Sequence, residues 1–274
     1  MFDTSRWISV GELADAFSPD GNTPPSTDDL AGRTLHLHLE NGRVIEHRFE
    51  TGTRLSWEIA AGEGQGRAAE ETYFATKVRE GIYFLDFIKH LEWATTVTLL
   101  LDLNQGIATA LTGRLPDEPE GTGSLAERLA RGQELTAVSA TFLSGALNVP
   151  FTAETPRHAP TEDLVGRRVE YTYSPTERYE HIYLNENFYT WHCLRGSEKG
   201  LADTDRCHYY KLAENLYFFV WREKIVPTLG AVVVDFDRMR TGGKIFGYQS
   251  GGSGELTNFP VGARARLLNI TRQD

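Results

Sequence analysis

Two short patterns in the second half of the chain carry side chains with chemistry to offer. Glu170-Tyr171-Thr172-Tyr173 sets two phenols two positions apart, and Tyr217-Phe218-Phe219-Val220-Trp221-Arg222-Glu223 ends a strand-like run on a carboxyl. Residues two apart in a strand share a face, so Tyr171 points with Tyr173, and Tyr217 points with Phe219, Trp221 and Glu223. Buried hydroxyls need partners, and two phenols on one inner face are unusual in a plain aliphatic core. The combination predicts a site with one acid/base carboxyl and two hydrogen-bond donors. A glutamate walled by aromatic rings has its neutral form favoured by desolvation, as a general acid near neutral pH requires. Tyr189, Trp191, Cys193 and Arg195 share a face of another strand and add an aromatic wall and a cation at the rim. The expected catalytic residues are therefore Glu223, Tyr171 and Tyr173. The expected ligand contacts are Trp191, Arg195, Tyr217 and Trp221. Plainer readings stand beside these: cross-strand packing for the tyrosines, a solvated strand end for Glu223, a surface loop for Arg195.

Such a site needs a scaffold, and the composition bounds which kind. The chain has 274 residues and a formal net charge of -10. It is long enough for one large or two ordinary domains. No basic stripe is present, which argues against a nucleic-acid partner. No apolar run is long enough to span a bilayer, and the N-terminus lacks the basic and apolar regions of a signal peptide. A cytoplasmic location is expected, with no membrane partner and with Cys193 and Cys207 as reduced thiols. No phosphate loop, dinucleotide fingerprint or nucleophile elbow occurs, so no cofactor is expected. His36 and His38 sit two apart, but their parity opposes Leu35, Leu37 and Leu39, so they should face outward, and no metal is assigned. A homo-oligomer is left open.

The elements that would position the site are short strands. Residues 1–28 read as a peripheral segment with one short helix near Gly11–Phe17. From Asp29 the apolar pattern alternates, and Asn41-Gly42 is a hairpin signal. Polar, Pro- and Gly-containing stretches at Pro116–Gly123 and at Gly251-Gly252-Ser253-Gly254 read as linker and turn, and Ser124 caps a short helix that follows the first.

The pattern then begins again. Asp29-Leu30-Ala31-Gly32-Arg33 recurs as Asp163-Leu164-Val165-Gly166-Arg167, Glu46-His47 as Glu180-His181, Trp57 as Trp191, and Tyr83-Phe84 as Tyr217-Phe218. One offset of about 134 positions serves them all, the mark of an internal repeat. Each half holds about eight strands, and closure into a barrel removes their edges. The expected architecture is all-β: two tandem lipocalin-like (calycin) eight-stranded antiparallel β-barrels at residues 29–145 and 161–274, joined by a linker at 146–160. The repeat puts Leu37, Leu39, Phe87 and Lys89 where the second half has Tyr171, Tyr173, Trp221 and Glu223, so the polar constellation belongs to the second barrel alone.

With these residues in view, the chain from Asp29 onward resembles the family called molybdenum cofactor biosynthesis protein F (MoaF). That resemblance implies two homologous barrel domains in this order. Its name implies a connection to molybdenum cofactor metabolism and little else about chemistry. The second half also resembles the phenolic acid decarboxylases. Tyr171-Thr172-Tyr173 matches their Tyr-x-Tyr, and Trp221-Arg222-Glu223 their Trp-x-Glu; Arg178-Tyr179-Glu180 is similar to their turn region. That resemblance implies cofactor-independent lyase or isomerase chemistry on a small aromatic acid. The family's Gly-Arg-Trp has no clean counterpart in Gly200-Leu201-Ala202-Asp203, and Arg195 is the candidate replacement for its arginine. The alternative function is a calycin-like protein that binds a small aromatic or heteroaromatic ligand without turning it over.

Overall fold

The structure, a computed structural model, describes residues 6–117, 123–250 and 254–272. The expected turn at 251–253, the middle of the expected linker (118–122) and the first five residues lie outside them. The chain divides into two compact units. One is built from residues 25–114 and 140–158; the other from the N-terminal segment to Pro24, residues 115–139, and 159 onward.

The first unit is a closed barrel of β1 (Thr34–Leu39), β2 (Val44–Phe49), β3 (Arg54–Ala61), β4 (Ala68–Arg79), β5 (Ile82–Ile88), β6 (Thr95–Asp102), β7 (Ile107–Arg114) and β8 (Ser139–Leu147). It closes where β8 pairs antiparallel with β1, Leu147 opposite Leu37. The alternation of β1 sends Leu35, Leu37 and Leu39 inward, where Phe49, Leu55, Leu85 and Phe87 join them.

The second unit contains α1 (Val10–Phe17), α2 (Leu125–Ala130), a short edge strand β9 (Ala159–Pro160), and β10 (Arg167–Thr172), β11 (Arg178–Tyr183), β12 (Phe188–Arg195), β13 (Ala202–Ala213), β14 (Leu216–Glu223), β15 (Thr228–Asp235), β16 (Arg240–Tyr248) and β17 (Leu256–Ile270). Strands β10 to β17 pair in sequence order, and β17 returns to β10 with Ala265 opposite Tyr171. The two eight-stranded antiparallel barrels expected from the repeat are therefore present. Among the described residues no helix is long and apolar enough to cross a membrane.

The repeat extends to individual hydrogen bonds inside each unit. Tyr83 Oη donates to Asp29 at 3.0 Å, and its counterpart Tyr217 donates to Asp163 at 3.1 Å. The Trp57 indole reaches Glu71 at 3.4 Å, and Trp191 reaches Asp205 at 3.1 Å. Each unit also has a register shift at the same place, after Lys77 in β4 and after Lys211 in β13. A bulge present in both halves acts as a built feature of a barrel, because it bends the strand where the sheet must curve.

The N-terminal segment departs from expectation. It was expected at the periphery, yet α1 packs against β16 and β17 and buries Val10 and Phe17. Its start is fixed by a capping box: Ser9 Oγ accepts from the Glu12 N–H at 3.2 Å, and the Glu12 carboxylate accepts from the Ser9 N–H at 2.9 Å. Such a cap is worth about 1 kcal/mol. The helix approaches closely because β16 offers a glycine. A Cβ on Gly247 would stand 2.2 Å from the Val10 side chain. Asn22 then ties the segment down, donating from its N–H to the Tyr173 carbonyl at 2.8 Å and from its amide to the Thr172 carbonyl at 2.9 Å.

Candidate functional site

The interior of the second barrel is aromatic by construction. Inward positions of β11, β12 and β14 carry Tyr179, His181, Tyr183, Tyr189, Trp191, Phe219 and Trp221, and all belong to or touch one buried cluster. Toward one end these side chains and α1 leave a cavity of about 40 Å³. Its walls include Trp7 and Phe17 from the N-terminal segment, Tyr173 just past β10, Tyr179 and His181 of β11, Trp191 of β12, Trp221 and Glu223 of β14, and Glu198 from the β12–β13 turn. The volume suits a few water molecules or a few ligand atoms.

Glu223 ends β14 and faces this space. The Trp221 indole N–H donates to its Oε1 at 2.8 Å. The indole can lie in that direction because Gly230 is its partner on β15; a Cβ there would fall 2.0 Å from the ring. Burial is the first cause that raises the Glu223 carboxyl well above the usual carboxylate range. The nearby Asp205 and Glu198 charges add to it, Asp203 contributes in the same direction, and the indole bond opposes it. Glu198 is likewise pushed up, chiefly by burial, although Tyr179 Oη donates to it at 3.1 Å and the Ile8 backbone N–H favours its charged form. Asp205 is raised to about 6 by burial, against the pull of Lys224 at 3.3 Å. Lys224 is itself shared with Asp203.

His181 sits at the centre of the aromatic cluster, with ring centroids of Tyr171 at 4.7 Å, Tyr189 at 5.1 Å and Phe219 at 5.8 Å. It is 5% exposed, lines the cavity, and its Nδ1 has no hydrogen-bond partner among the described residues. Burial pushes its pKa down to about 3, so the ring is neutral. Its repeat counterpart His47 is also buried and is pushed down to about 4. The rest of the first barrel's equivalent region differs. Lys89 stands near the Glu223 position, over the Trp57 ring at 5.0 Å and paired with Glu92 at 2.6 Å.

Of the seven side chains singled out from sequence, the structure brings Tyr173, Trp191, Trp221 and Glu223 together around one cavity. Tyr171 lies deeper: its hydroxyl pairs with that of Tyr183 at 2.7 Å and is not part of the lining. Tyr217 is buried but bonded to Asp163, and it too is absent from the lining. Arg195, expected as a cation at the rim with a surface position as the plainer reading, is exposed, as the plainer reading has it. The cause is a register shift in the β11–β12 pair: Tyr179 faces Cys193, but Arg178 faces Arg195, so Leu194 is an extra residue and the alternation reverses beyond Cys193. The two cysteines are free and buried. Sequence reasoning placed Tyr189 on the aromatic wall, where the structure has it, and missed His181, Glu198 and the α1 residues. Parity with Tyr179 was the available signal for His181; the glutamate sits in a turn, where no periodicity applies.

One solved structure with a partial likeness, described as a candidate beta-lactamase from Burkholderia vietnamiensis, covers 46% of this chain and 98% of its own at 16% identity and a TM-score of 0.33, a level that carries no argument. The sequence comparisons are far stronger. Protein MoaF of Klebsiella aerogenes is 45% identical over 272 residues, covering 99% of each chain. The MoaF N-terminal domain matches residues 5–117 and the MoaF C-terminal domain residues 158–271. With both domain models matched in order and a full-length relative at that identity, the chain belongs to the MoaF family.

Proposed function

We propose that the second barrel binds a small, flat ligand in the cavity beneath α1, with Glu223 as its principal polar contact. One observation carries this reading: a cavity walled by aromatic rings whose lining includes two carboxyls held against ionisation, Glu223 and Glu198. Concave, mostly apolar pockets with a few convergent polar groups are the usual form of a small-molecule site. Phe17 and Trp7 already occupy ring positions against Tyr173 and Trp191, so a ring-bearing ligand enters by displacing one of them. Three of the five tryptophans, Trp7, Trp191 and Trp221, line the cavity, so intrinsic fluorescence reports occupancy. A screen of small aromatic and heteroaromatic compounds should give saturable quenching that is weakened by Glu223→Gln and unaffected by Lys89→Gln in the first barrel. A full-length protein on which no compound gives a saturable response ends the proposal.

The raised Glu223 carboxyl also favours a second reading, general-acid chemistry on a small aromatic acid. In that reaction Glu223 transfers its proton to the side-chain carbon next to the carboxylate of a para-hydroxylated unsaturated acid. As the phenol gives its proton to solvent a quinone-methide-like intermediate forms. Its C–C bond to the carboxylate then breaks, releasing carbon dioxide and returning the pair to the ring as a phenolate. Solvent reprotonates both the phenolate and Glu223, one proton being consumed overall. Tyr173 would hold the far end of such a substrate. General acids of this kind contribute a factor of about a hundred or more. Incubation with hydroxycinnamates, with product measured for the parent and for Glu223→Gln, decides it: equal rates exclude Glu223 as the acid, and binding without product leaves the carrier reading.

A further inference from the structure

We infer that the ligand of this cavity is a small organic ammonium ion, its carbon frame against the aromatic walls and its cationic nitrogen between Glu223 and Glu198. The inference rests on the proposed reading that the second barrel is a small-molecule site, and it deepens that reading by assigning the ligand's charge.

The walls supply the first argument. Trp7, Tyr173, Tyr179, Tyr189, Trp191 and Trp221 all border the cavity. A cation over such rings is attracted by their negative π faces, most strongly by tryptophan and when desolvated. The charges supply the second. The cavity carries two carboxyls, Glu198 and Glu223, and among the described lining residues no lysine or arginine. The basic side chains near it in sequence are engaged elsewhere. Lys224 is held by Asp203 and Asp205, Arg222 by Glu134 at 2.7 Å and the Val138 carbonyl at 3.0 Å, and Arg195 is exposed. An anionic ligand would enter an acidic pocket with no counter-charge; a cation would supply the charge that the pocket lacks.

The third argument is independent of the carboxyls. His181 is buried and lines the same space, and its ring is held neutral, so it adds no positive charge against an ammonium ion.

Binding is then linked to a proton. The groups around the Glu223 carboxyl are Asp203 and Asp205 of β13, Glu198 of the β12–β13 turn, the Trp221 indole, and the phenols of Tyr173 and Tyr189, which feel its charge; Lys224 is taken up by Asp203 and Asp205. The three carboxyls disfavour its charged form and the indole favours it. An ammonium ion reverses the balance, so the carboxylic acid loses its proton to solvent while the ammonium keeps its own.

Benzylamine, benzyl alcohol and benzoate share a ring and differ in charge. Titrated into the full-length protein at one ionic strength near pH 8, with tryptophan fluorescence and calorimetry as readouts, benzylamine should bind about tenfold or more tighter than the alcohol. Benzoate should bind most weakly. Benzylamine heats should vary with the ionisation enthalpy of the buffer, showing proton release. Glu223→Gln and, separately, Glu198→Gln should each reduce the preference for benzylamine over benzyl alcohol, with a cooperative thermal transition close to that of the parent showing that each variant is folded. Benzoate binding as tightly as benzylamine overturns the ammonium inference and leaves the barrel as a binding site. Saturable binding by none of the three overturns the ammonium inference as well, and a positive response to some other compound class in the fluorescence screen then separates that result from failure of the site itself.

Discussion

Phe17 of the N-terminal helix stacks on Tyr173 of the barrel, ring centroids 4.5 Å apart and planes 23° from parallel. The pair joins the first helix to the residue just past β10, and both rings line the cavity. Offset stacking of this kind contributes about 1 kcal/mol beyond the burial of the rings. Phe17 is 7% exposed, so Phe17→Ala removes a buried ring at a site that can fill only partly. The loss should be about 3 kcal/mol in the stability of the second unit, read as a lower denaturant midpoint. The same variant should accelerate ligand association in stopped-flow fluorescence, because the displaced ring no longer competes. Slower association would show that Phe17 is part of the binding surface and not a plug.

Glu223 should make the second unit less stable as pH rises. Its folded pKa is raised above the ordinary glutamate value of 4.5, so the unfolded chain releases the proton first. The contribution is fully present below about pH 4.5 and is lost as pH climbs toward the folded value. Glu223→Gln removes the titration. Denaturant midpoints across pH 5 to 8 should therefore fall more steeply for the parent than for the variant, and parallel curves would show that the carboxyl ionises freely.

The buried histidines act in the opposite direction. His181 is held neutral down to about pH 3, whereas the unfolded imidazole protonates near 6.5. Its contribution is present above pH 6.5 and is lost progressively as pH falls toward 3. His181→Gln should flatten the acid limb of the stability profile for the second unit. His47, pushed down to about 4, should produce the corresponding limb in the first unit, which His47→Gln should flatten.

Tyr217 separates scaffold from site. Its hydroxyl donates to Asp163 in a bond that Tyr83 and Asp29 repeat in the first barrel. Tyr217→Phe should cost about 1 kcal/mol of stability. Ligand affinity should be unchanged, and so should it be in Arg195→Ala; a tenfold loss in either would return that residue to the site.

Much of this arrangement was legible in the sequence because barrels obey a strict alternation. The Leu35, Leu37 and Leu39 series and the recurrence of Trp57 at Trp191 fixed strand faces and the doubling of the fold. Parity also pointed Trp191, Trp221 and Glu223 inward. It failed where the alternation is interrupted: the extra Leu194 turned Arg195 out, and Tyr171 found a partner in Tyr183 that no local pattern announces. The helix at Val10–Phe17 was recognisable, but its destination was not. A short amphipathic helix states that one face is buried and does not state against what.

The division of the chain has a consequence for the order of synthesis. Strand β8, which closes the first barrel, is made only after residues 115–138, and these belong to the second unit. A ribosome that has completed β7 has therefore released an open sheet with two bare edges, and closure waits for a stretch that must be bypassed. The helix α1 waits longer still, since β16 and β17, on which it rests, are made after the other described strands. A segment made ahead of both barrels is thus among the last of the described elements to find its place, and a nascent chain halted before β16 exposes Val10 and Phe17 as free apolar surface for a chaperone.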